Sequence, residues 1–466
     1  GNDTYYFNLG DGVDLIDDLA GPGEGNRVVF GAGIAPGDLT LSFTDSTLAI
    51  NVGAGGEVAP GSSLPRDPRL DPIGDGLRLS NFDPSNPLGT HAIDSFEFSD
   101  GTVLSYAELI GHGLGLAGTG TDDLLIGTGV ADRIDAQGGN DVIVGGAGND
   151  LLDGGSGNDL YVFNIGDGVD TILDRASPGV GNSVVFGPGI TSADLALELD
   201  TTGASPALLI HVGNGGEVAN GPSLARDPRL GPIGDAIRLD GFNPEDATGP
   251  RAVETFRFAD GTSLSYDQLL SLGIAVNGTT AQESLTGTSV RDRLSGAGGN
   301  DRLTGGEGDD AYFFNAGDGV VSINDTSSPF DPNTVVFGSG ITPENLQLDL
   351  DAATGELILR VGLAGDAVRL SGFNPDDPYG AHAIEFYRFA DGTVLTYSQL
   401  IDRGFDVLGT NGNDDLPGTA TADRITGSAG HDLIRGGAGG DSAAGGAGDD
   451  TYVYRIGDGI LTIDDL

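Results

Sequence analysis

The amino-acid sequence predicts an elongated all-β repeat protein, and three observations support this prediction. Gly- and Asp-rich units of nine residues recur in register along the chain. Between them lie longer, mutually similar segments in which apolar residues alternate with polar ones around Asp-Gly turns, a pattern typical of β-strands. The formal charge is −49, because 70 acidic residues oppose only 21 basic ones, all of them arginine. A compact body with this charge needs cations to offset the repulsion between its carboxylates.

Charge and composition exclude several classes of function. Nucleic-acid binding requires clustered Lys and Arg that displace counterions from phosphates, so we expect no nucleic-acid partner. No apolar run approaches the roughly 20 residues that span a bilayer, so we also expect no membrane insertion. The chain has no cysteine, which excludes disulfides, thiolate metal sites and cysteine nucleophiles. Calcium, which prefers carboxylate and carbonyl oxygens, is the leading candidate for a stabilising cation.

Fourteen nonapeptides form three arrays, with five units at 118–162, four at 278–313 and five at 409–453. Paired glycines allow positive φ, so each loop turns tightly with its carbonyl groups directed inward. An acidic residue follows the glycines and adds an anionic oxygen ligand. It is Glu283 in the first unit of the second array. The other units carry aspartates that we predict to be calcium ligands: Asp123, Asp132, Asp141, Asp150, Asp159, Asp292, Asp301, Asp310, Asp414, Asp423, Asp432, Asp441 and Asp450.

β-rich modules alternate with the arrays. We place a partial nonapeptide and the first module at 1–117, the second module at 163–277, the third at 314–408 and the start of a fourth at 454–466. Capping boxes predict that a short helix closes each of the three complete modules, at Ser105 to Glu108, Ser265 to Gln268 and Thr396 to Gln399. We expect these helices to stop at Gly111, Gly273 and Gly404.

The nonapeptides resemble the GGxGxDxUx repeats of the RTX (repeats-in-toxin) family of calcium-binding proteins. The resemblance implies a parallel β-roll with multiple bound calcium ions, in which loops eighteen residues apart stack and share an ion. The aspartates that it pairs are Asp123 with Asp141, Asp132 with Asp150, Asp141 with Asp159, Asp292 with Asp310, Asp414 with Asp432, Asp423 with Asp441, and Asp432 with Asp450.

The motif continues beyond the arrays at some positions. Asp170 follows the first array in phase, Asp14 occupies the same place in the first module, and Asp3 belongs to the partial nonapeptide, so we predict all three as calcium ligands. Val321 and Leu461 replace the aspartate at the corresponding later positions. We expect weak sites where Glu283 faces Asp301 and in the degenerate unit around Asp441.

No catalytic motif is recognisable, and we predict that the chain is not an enzyme. None of the five histidines lies in HExxH, and no GxSxG occurs. The 70 acidic residues could supply a glycosidase pair, but the calcium motif accounts for most of them. Two RDPRL segments, at 66–70 and 226–230, leave two interpretations open. They are either surface loops whose arginines neutralise nearby acids or elements that dock an acidic surface.

We therefore predict a secreted calcium-binding structural protein, a segment of an extracellular filament, adhesin or matrix fibre. The alternative is a calcium-dependent binding or secretion module of a larger RTX exoenzyme. The resemblance also implies type I secretion and a location outside a bacterium or on its surface. The motif is interrupted at both ends, near Gly1 and after Gly457, which predicts head-to-tail self-association into a fibre. A surface polysaccharide is a second candidate partner.

Overall fold

A computed structural model describes residues 1–18, 25–44, 46–53, 75–173, 181–213, 234–325, 331–351, 354, 356–362, 365–380 and 382–464. The two RDPRL segments lie outside the described residues, and both hypotheses about them stay predictions.

The first half of the chain passes from one module through an array into a second module. The first module contains β1 (Thr4–Phe7), β2 (Val13–Ile16), β3 (Arg27–Phe30), β4 (Leu39–Thr44), β5 (Thr47–Val52), β6 (Asp75–Ser80), β7 (Ser95–Glu97), β8 (Val103–Ser105) and α1 (Tyr106–Ile110). The first array contains β9 (Leu114–Ala117), β10 (Leu124–Ile126), β11 (Asp132–Asp135), β12 (Val142–Val144), β13 (Leu151–Asp153) and β14 (Leu160–Phe163). The second module contains β15 (Val169–Ile172), β16 (Ser183–Phe186), β17 (Leu195–Asp200), β18 (Ala207–Val212), β19 (Ala236–Asp240), β20 (Thr255–Arg257), β21 (Ser263–Ser265) and α2 (Tyr266–Leu270).

The second half repeats this order. The second array contains β22 (Ile274–Asn277), β23 (Ser284–Thr286), β24 (Asp292–Ser295), β25 (Arg302–Thr304) and β26 (Ala311–Phe314). The third module contains β27 (Val320–Ile323), β28 (Thr334–Phe337), β29 (Leu346–Asp351), β30 (Glu356–Val361), β31 (Asp366–Leu370), β32 (Phe386–Arg388), β33 (Val394–Thr396) and α3 (Tyr397–Ile401). The third array contains β34 (Phe405–Leu408), β35 (Asp415–Pro417), β36 (Asp423–Thr426), β37 (Leu433–Arg435), β38 (Gly440–Ala444) and β39 (Thr451–Val453), and β40 (Ile460–Ile463) follows it.

The arrays are parallel β-rolls, as the resemblance implied. In the first array β10, β12 and β14 form one parallel sheet, and β9, β11 and β13 form the other. Leu124 pairs with Val142 and Arg133 with Leu151, so the eighteen-residue stacking is confirmed. Each nonapeptide points one apolar side chain between the sheets, and Ile143 is fully buried there. Burial of such a side chain stabilises the fold by roughly 1.5–3 kcal/mol.

The modules extend the rolls. In the second module β16 stacks on β14 and β20 stacks on β16, all in parallel. Phe186 contacts Phe163 edge-on at 6.3 Å and stacks on Phe258 at 5.2 Å, so an aromatic core continues the apolar interior of the array. The antiparallel strands β17, β18 and β19 return the chain, and β17 then pairs with β22 at the start of the next array. The rolls begin one strand earlier than the sequence boundaries suggested, because β9, β22 and β34 already pair with array strands.

One ladder of paired strands consequently runs through two arrays and three modules. Its order is β2, β6, β5, β4, β9, β11, β13, β15, β19, β18, β17, β22, β24, β26, β28, β32 and β33.

The number of nonapeptides decides which sheet the following module joins, because successive units alternate between the two sheets. The first array has five units, and its β11 and β14 lie in different sheets. The second array has four units, and the equivalent strands β24 and β26 pair with each other. The third module is therefore attached to the opposite sheet from the one that the second module's β16 and β20 use.

The predicted capping boxes are present in all three helices. In α1 the Ser105 hydroxyl accepts a hydrogen bond from the N–H of Glu108, whose carboxylate accepts the N–H of Ser105 at 2.7 Å. The predicted stop at Gly111 is confirmed in position, because α1 ends at Ile110 and Gly111 is its C-cap, although Gly111 keeps a right-handed helical conformation with φ −60°. Gly113, at φ +87°, takes the left-handed place that Gly273 and Gly404 hold after the other helices. In α2 and α3 the C-cap residues are Ser271 and Asp402, so these helices end before Gly273 and Gly404.

Candidate calcium sites

The array aspartates lie in stacked columns along the roll. In each column the main-chain N–H of one acidic residue donates to Oδ1 of the aspartate eighteen residues later. The distances are 2.8 Å for Asp123 to Asp141 and for Asp132 to Asp150, 2.9 Å for Asp141 to Asp159, 2.8 Å for Asp292 to Asp310, 2.9 Å for Asp414 to Asp432 and for Asp432 to Asp450, and 3.1 Å for Asp423 to Asp441. The N–H of Glu283 makes the same bond to Asp301 at 2.9 Å. The structure thus brings together every pair that the resemblance implied.

The loops that carry these aspartates are of two kinds, a distinction that the sequence prediction did not make. The first two units of each array have threonine at their second position, and we call them T loops. In the T loop of Asp132, Oδ2 accepts the N–H of Thr128 at 2.5 Å and its hydroxyl at 2.9 Å. Asp123, Glu283, Asp292, Asp414 and Asp423 bind their own threonine in the same way. Threonine therefore partly satisfies the carboxylate without a cation.

The remaining units have a different backbone, and we call them G loops. Their second and fourth positions both have positive φ, as at Gly146 (+95°) and Gly148 (+149°). In all eight G loops Oδ2 of the aspartate is buried without a hydrogen-bond partner; these residues are Asp141, Asp150, Asp159, Asp301, Asp310, Asp432, Asp441 and Asp450. Leaving an ionised oxygen buried and unpaired costs several kcal/mol, so each of these atoms requires a cation or a proton.

Burial raises the pKa of these carboxyl groups. With no cation opposite them, the pKa is about 6 for Asp159 and about 7 for Asp150, and burial is the largest cause in both. The pKa of Asp310 rises to about 8, because burial acts together with the charge of Asp292. These groups are poised to exchange a proton for a metal ion near neutral pH.

The three predicted ligands outside the arrays lie in different surroundings. Asp170 is buried, and its Oδ1 accepts the N–H of Asp150 at 3.1 Å, so it continues the column of the first array. Its Oδ2 has no partner, and burial followed by the charge of Asp150 raises its pKa to about 8. Asp14 is exposed on β2, which among the described strands pairs only with β6. Asp3 is also exposed, although its N–H donates to Asn26 at 2.8 Å.

Sequence reasoning missed three buried asparagines that close the columns. Asn182 accepts the N–H of Asp159 with its side-chain oxygen at 2.8 Å, and its amide group donates to the carbonyl of Ala252 at 3.0 Å. Asn26 and Asn333 hold the same positions in the other modules. The signal was present in the sequence, because each asparagine stands two residues before the Val-Val-Phe run of its module. Each of them ties the last nonapeptide of an array to the module that follows.

Family models for known repeats match the same segments. The model described as RTX calcium-binding nonapeptide repeat (4 copies) matches residues 117–152, 126–161, 286–321, 408–443, 417–452 and 430–461. The model described as haemolysin-type calcium binding protein related domain matches residues 70–108 and 356–399, within the first and third modules.

The arrays of this chain are RTX calcium-binding repeats.

Comparison with curated proteins gave no match. Among solved structures the RTX chain is similar to the extracellular lipase LipA from Serratia marcescens, with 14% sequence identity and a TM-score of 0.17. The similarity covers 56% of this chain and 38% of the lipase chain, so the match spans well under half of that protein. No helix among the described residues is long and apolar enough to cross a membrane.

The G loops of the RTX chain suit calcium better than metals that demand several side chains. Within the described ranges, no three His, Cys, Asp or Glu side chains cluster closely enough to hold a metal ion by themselves. Two stacked G loops instead offer one free carboxylate oxygen each, and we expect carbonyl oxygens of their glycine turns to supply further ligands. Calcium accepts six to eight such oxygens in flexible geometry, whereas zinc prefers nitrogen and sulfur. The orphaned Oδ2 atoms are therefore consistent with calcium, which RTX repeats bind.

Proposed function

We propose that this RTX chain is a calcium-stiffened structural segment of a secreted filament, adhesin or matrix fibre, and that it acts without catalysis of its own. The observation that carries the proposal is the uninterrupted strand ladder from β2 to β33. Main-chain hydrogen bonds join arrays and modules, so we expect a load applied at one end to be transmitted through the sheet. A set of independent binding domains on linkers would lack this continuity.

Calcium restricts the folded, stiff state of the chain to the outside of the cell. Buried Asp150 and Asp170 repel each other unless they are protonated or share a cation, so a calcium-poor cytosol disfavours the rolls and leaves the chain in an exportable state. Extracellular calcium then supplies the missing partner of each orphaned oxygen. Folding after export is the consequence that we propose for the type I secretion route.

We propose that another repeat of the same kind packs against the exposed strands β2 and β40. Asp14 and Asp3 are exposed, whereas their counterparts Asp170 and Asp159 are buried inside the chain. Leu15 on β2 is 66% exposed and Ile460 on β40 is 72% exposed. Open strand edges with apolar side chains favour pairing, and a head-to-tail contact does not close on itself.

Electron microscopy and sedimentation of the purified chain in millimolar calcium test the proposal. We expect fibres or end-to-end oligomers that dissociate when calcium is chelated. The variants Leu15→Lys and Ile460→Lys place a charge on each edge and should block assembly while the calcium content stays unchanged. Single 47.1 kDa particles in millimolar calcium would contradict self-association and favour a module of a larger exoenzyme.

A further inference from the structure

A wide cleft of 1060 Å³ lies where the second array meets the third module. The loop before β17 and the first residues of β17 form one wall, and Leu272 and Gly273, which follow α2, form the next. The outer face of β24, β26, β28 and β32 forms the floor. Three of the 21 arginines of the chain line this one cleft: Arg291, Arg293 and Arg388. The concentration of positive charge is unusual in a chain with a net charge of −49.

The strand register places the lining side chains on the outer face of the sheet. Leu294, Tyr312, Val335 and Tyr387 form an inner row across the four strands and are buried in the roll. Side chains alternate along a strand, so their neighbours Arg293, Phe313 and Arg388 point the other way, into the cleft. Phe386 and Val394 complete the surface and are 37% and 44% exposed.

The arginines of the cleft have no acidic partner among the described residues. Other arginines of the chain form ion pairs, as Arg251 does with Glu254 at 2.9 Å, but no ion pair joins Arg291, Arg293 or Arg388 to a described carboxylate. The Arg293 guanidinium lies over the ring of Phe313, 5.8 Å from its centroid. Burial and the neighbouring charge of Arg291 lower the pKa of Arg293, so two like charges are held together without compensation.

This arrangement occurs at one junction only within the described chain, and two features of the sequence create it. Arg291 replaces the alanine found at Ala131 and Ala422 in the other arrays, and Phe386 replaces Thr255. The four-unit length of the array also brings Arg293 and Arg388 onto one sheet. Their counterparts Arg133 and Arg257 lie on β11 and β20, which belong to different sheets because the first array has five units.

The spacing of the arginines defines the ligand. Three inter-strand steps separate β24 from β32, and Arg388 lies two residues beyond Phe386, which is in register with Arg293. The backbones of Arg293 and Arg388 are therefore roughly 16 Å apart. A single small anion cannot reach both, and the ligand must carry several separated anionic groups. DNA, with one charge per about 1.7 Å, carries far more charge than three arginines neutralise.

We propose that the cleft binds an acidic polysaccharide whose carboxylate or sulfate groups pair with Arg291, Arg293 and Arg388. Guanidinium groups pair with carboxylate and sulfate-like oxyanions through two parallel hydrogen bonds. The exposed ring of Phe386 and the side chain of Val394 offer apolar surface to the sugar rings between the charges. A flexible acidic peptide would lose backbone entropy at every residue it orders, whereas a stiff chain of rings is preorganised. Asp309 and the buried Asp310 also line the cleft, so we expect the anionic groups to bind on the arginine side.

The proposal is independent of fibre formation, since a single chain contains the whole cleft. Calorimetric titration of the calcium-loaded chain with short oligogalacturonates, below the length that gels with calcium, is the direct measurement. We expect binding that weakens as salt increases, and no binding of neutral dextran. Dextran sulfate shows whether sulfate serves in place of carboxylate, and binding of either anionic sugar supports the proposal. The proposal would be overturned if neither oligogalacturonate nor dextran sulfate binds, or if poly-glutamate binds more tightly than both.

Matched variants locate the site. Arg293→Ala and Arg388→Ala should each weaken binding about tenfold, the loss of one arginine–carboxylate pair. Arg133 and Arg257 occupy the equivalent sequence positions but lie on separate sheets. Arg133→Ala and Arg257→Ala should therefore leave the affinity for the polysaccharide unchanged. Equal losses in both pairs would show a general charge effect and refute the cleft. Arg291→Ala and Phe386→Thr restore residues that sister repeats already fold with, so they keep the test valid if another variant is unstable.

Discussion

The N–H of Asp141 donates to Oδ1 of Asp159 at 2.9 Å, while Oδ2 of Asp159 is buried with no donor. The column of aspartates therefore uses one carboxylate oxygen for stacking and keeps the other free. Stacking alone brings negative charges about one strand spacing apart, roughly 4.8 Å, which is unfavourable inside a protein. A divalent cation between the loops removes both the repulsion and the orphaned acceptor.

Removal of calcium should unfold the arrays. Exhaustive chelation at neutral pH is expected to abolish most of the β signal in circular dichroism, because the G-loop carboxylates cannot all ionise in the roll without a counter-ion. The signal should return when calcium is added. An unchanged spectrum after chelation would show that the rolls do not depend on calcium.

Asp141→Asn should reduce calcium binding more than Asp123→Asn. Asparagine keeps the side-chain oxygen that accepts the N–H of Asp123, so the change removes charge and preserves stacking. Asp141 faces loops on both sides, whereas Asp123 belongs to a T loop in which Thr119 already donates to its carboxylate. Calcium titration of the two variants measures the loss of calcium binding in each. A loss in Asp141→Asn no larger than that in Asp123→Asn would show that the shared-ion pairing is wrong.

Acid should stabilise the calcium-free fold. The folded pKa values of Asp150 and Asp170, about 7 and about 8, lie above the usual 3.8. A group with a raised folded pKa contributes its full stability below the unfolded pKa and loses it as the pH rises through the folded value. Calcium-stripped protein should therefore gain β structure as the pH falls from about 8 to about 5. Calcium affinity should decrease over the same fall in pH, because protons compete with calcium for the carboxylates. Less structure at the lower pH would contradict this account.

Ala297→Gly should stabilise the chain. Ala297 is at φ +59° in the second position of a G loop, a conformation that costs a non-glycine residue roughly 1–2 kcal/mol. We expect a gain of about 1 kcal/mol, since glycine also loses more entropy on folding. The matched control is Ala281→Gly in the T loop of the same array, which has no positive φ and should be slightly destabilised. Urea unfolding in saturating calcium measures both.

The repeat period made the array geometry predictable from sequence. The aspartates recur every nine residues, so the pairs Asp123 with Asp141 and Asp292 with Asp310 follow once two units are taken as one turn. The capping boxes could also be predicted from the sequence, because Ser105 and Glu108 contact each other within one turn of helix.

Features that depend on long-range contacts were not predicted. The asparagine before each Val-Val-Phe run was visible in the sequence, but its role was not, because Asn182 accepts the N–H of Asp159 from 23 residues away. Threonine at the second position of T loops was visible in the sequence, but its role depends on how the carboxylate folds back onto it. The consequence of four rather than five units was also missed, since it appears only when strands are assigned to sheets.

Insertion of one nonapeptide into the second array should rotate the third module to the opposite sheet. A copy of the unit 305–313 would give this array five units, the number that the first array already accommodates. Arg388 would leave the sheet of Arg293, and the cleft would be lost while the calcium columns remain. The chain has no native cysteine, so Leu272→Cys and Val394→Cys provide two unique spin-label sites on the cleft wall. Pulsed electron resonance should report a longer distance in the inserted chain than in the parent, with similar calcium content. Equal distances in the two chains would show that contacts between β17 and β22, rather than unit number, set the orientation of the modules.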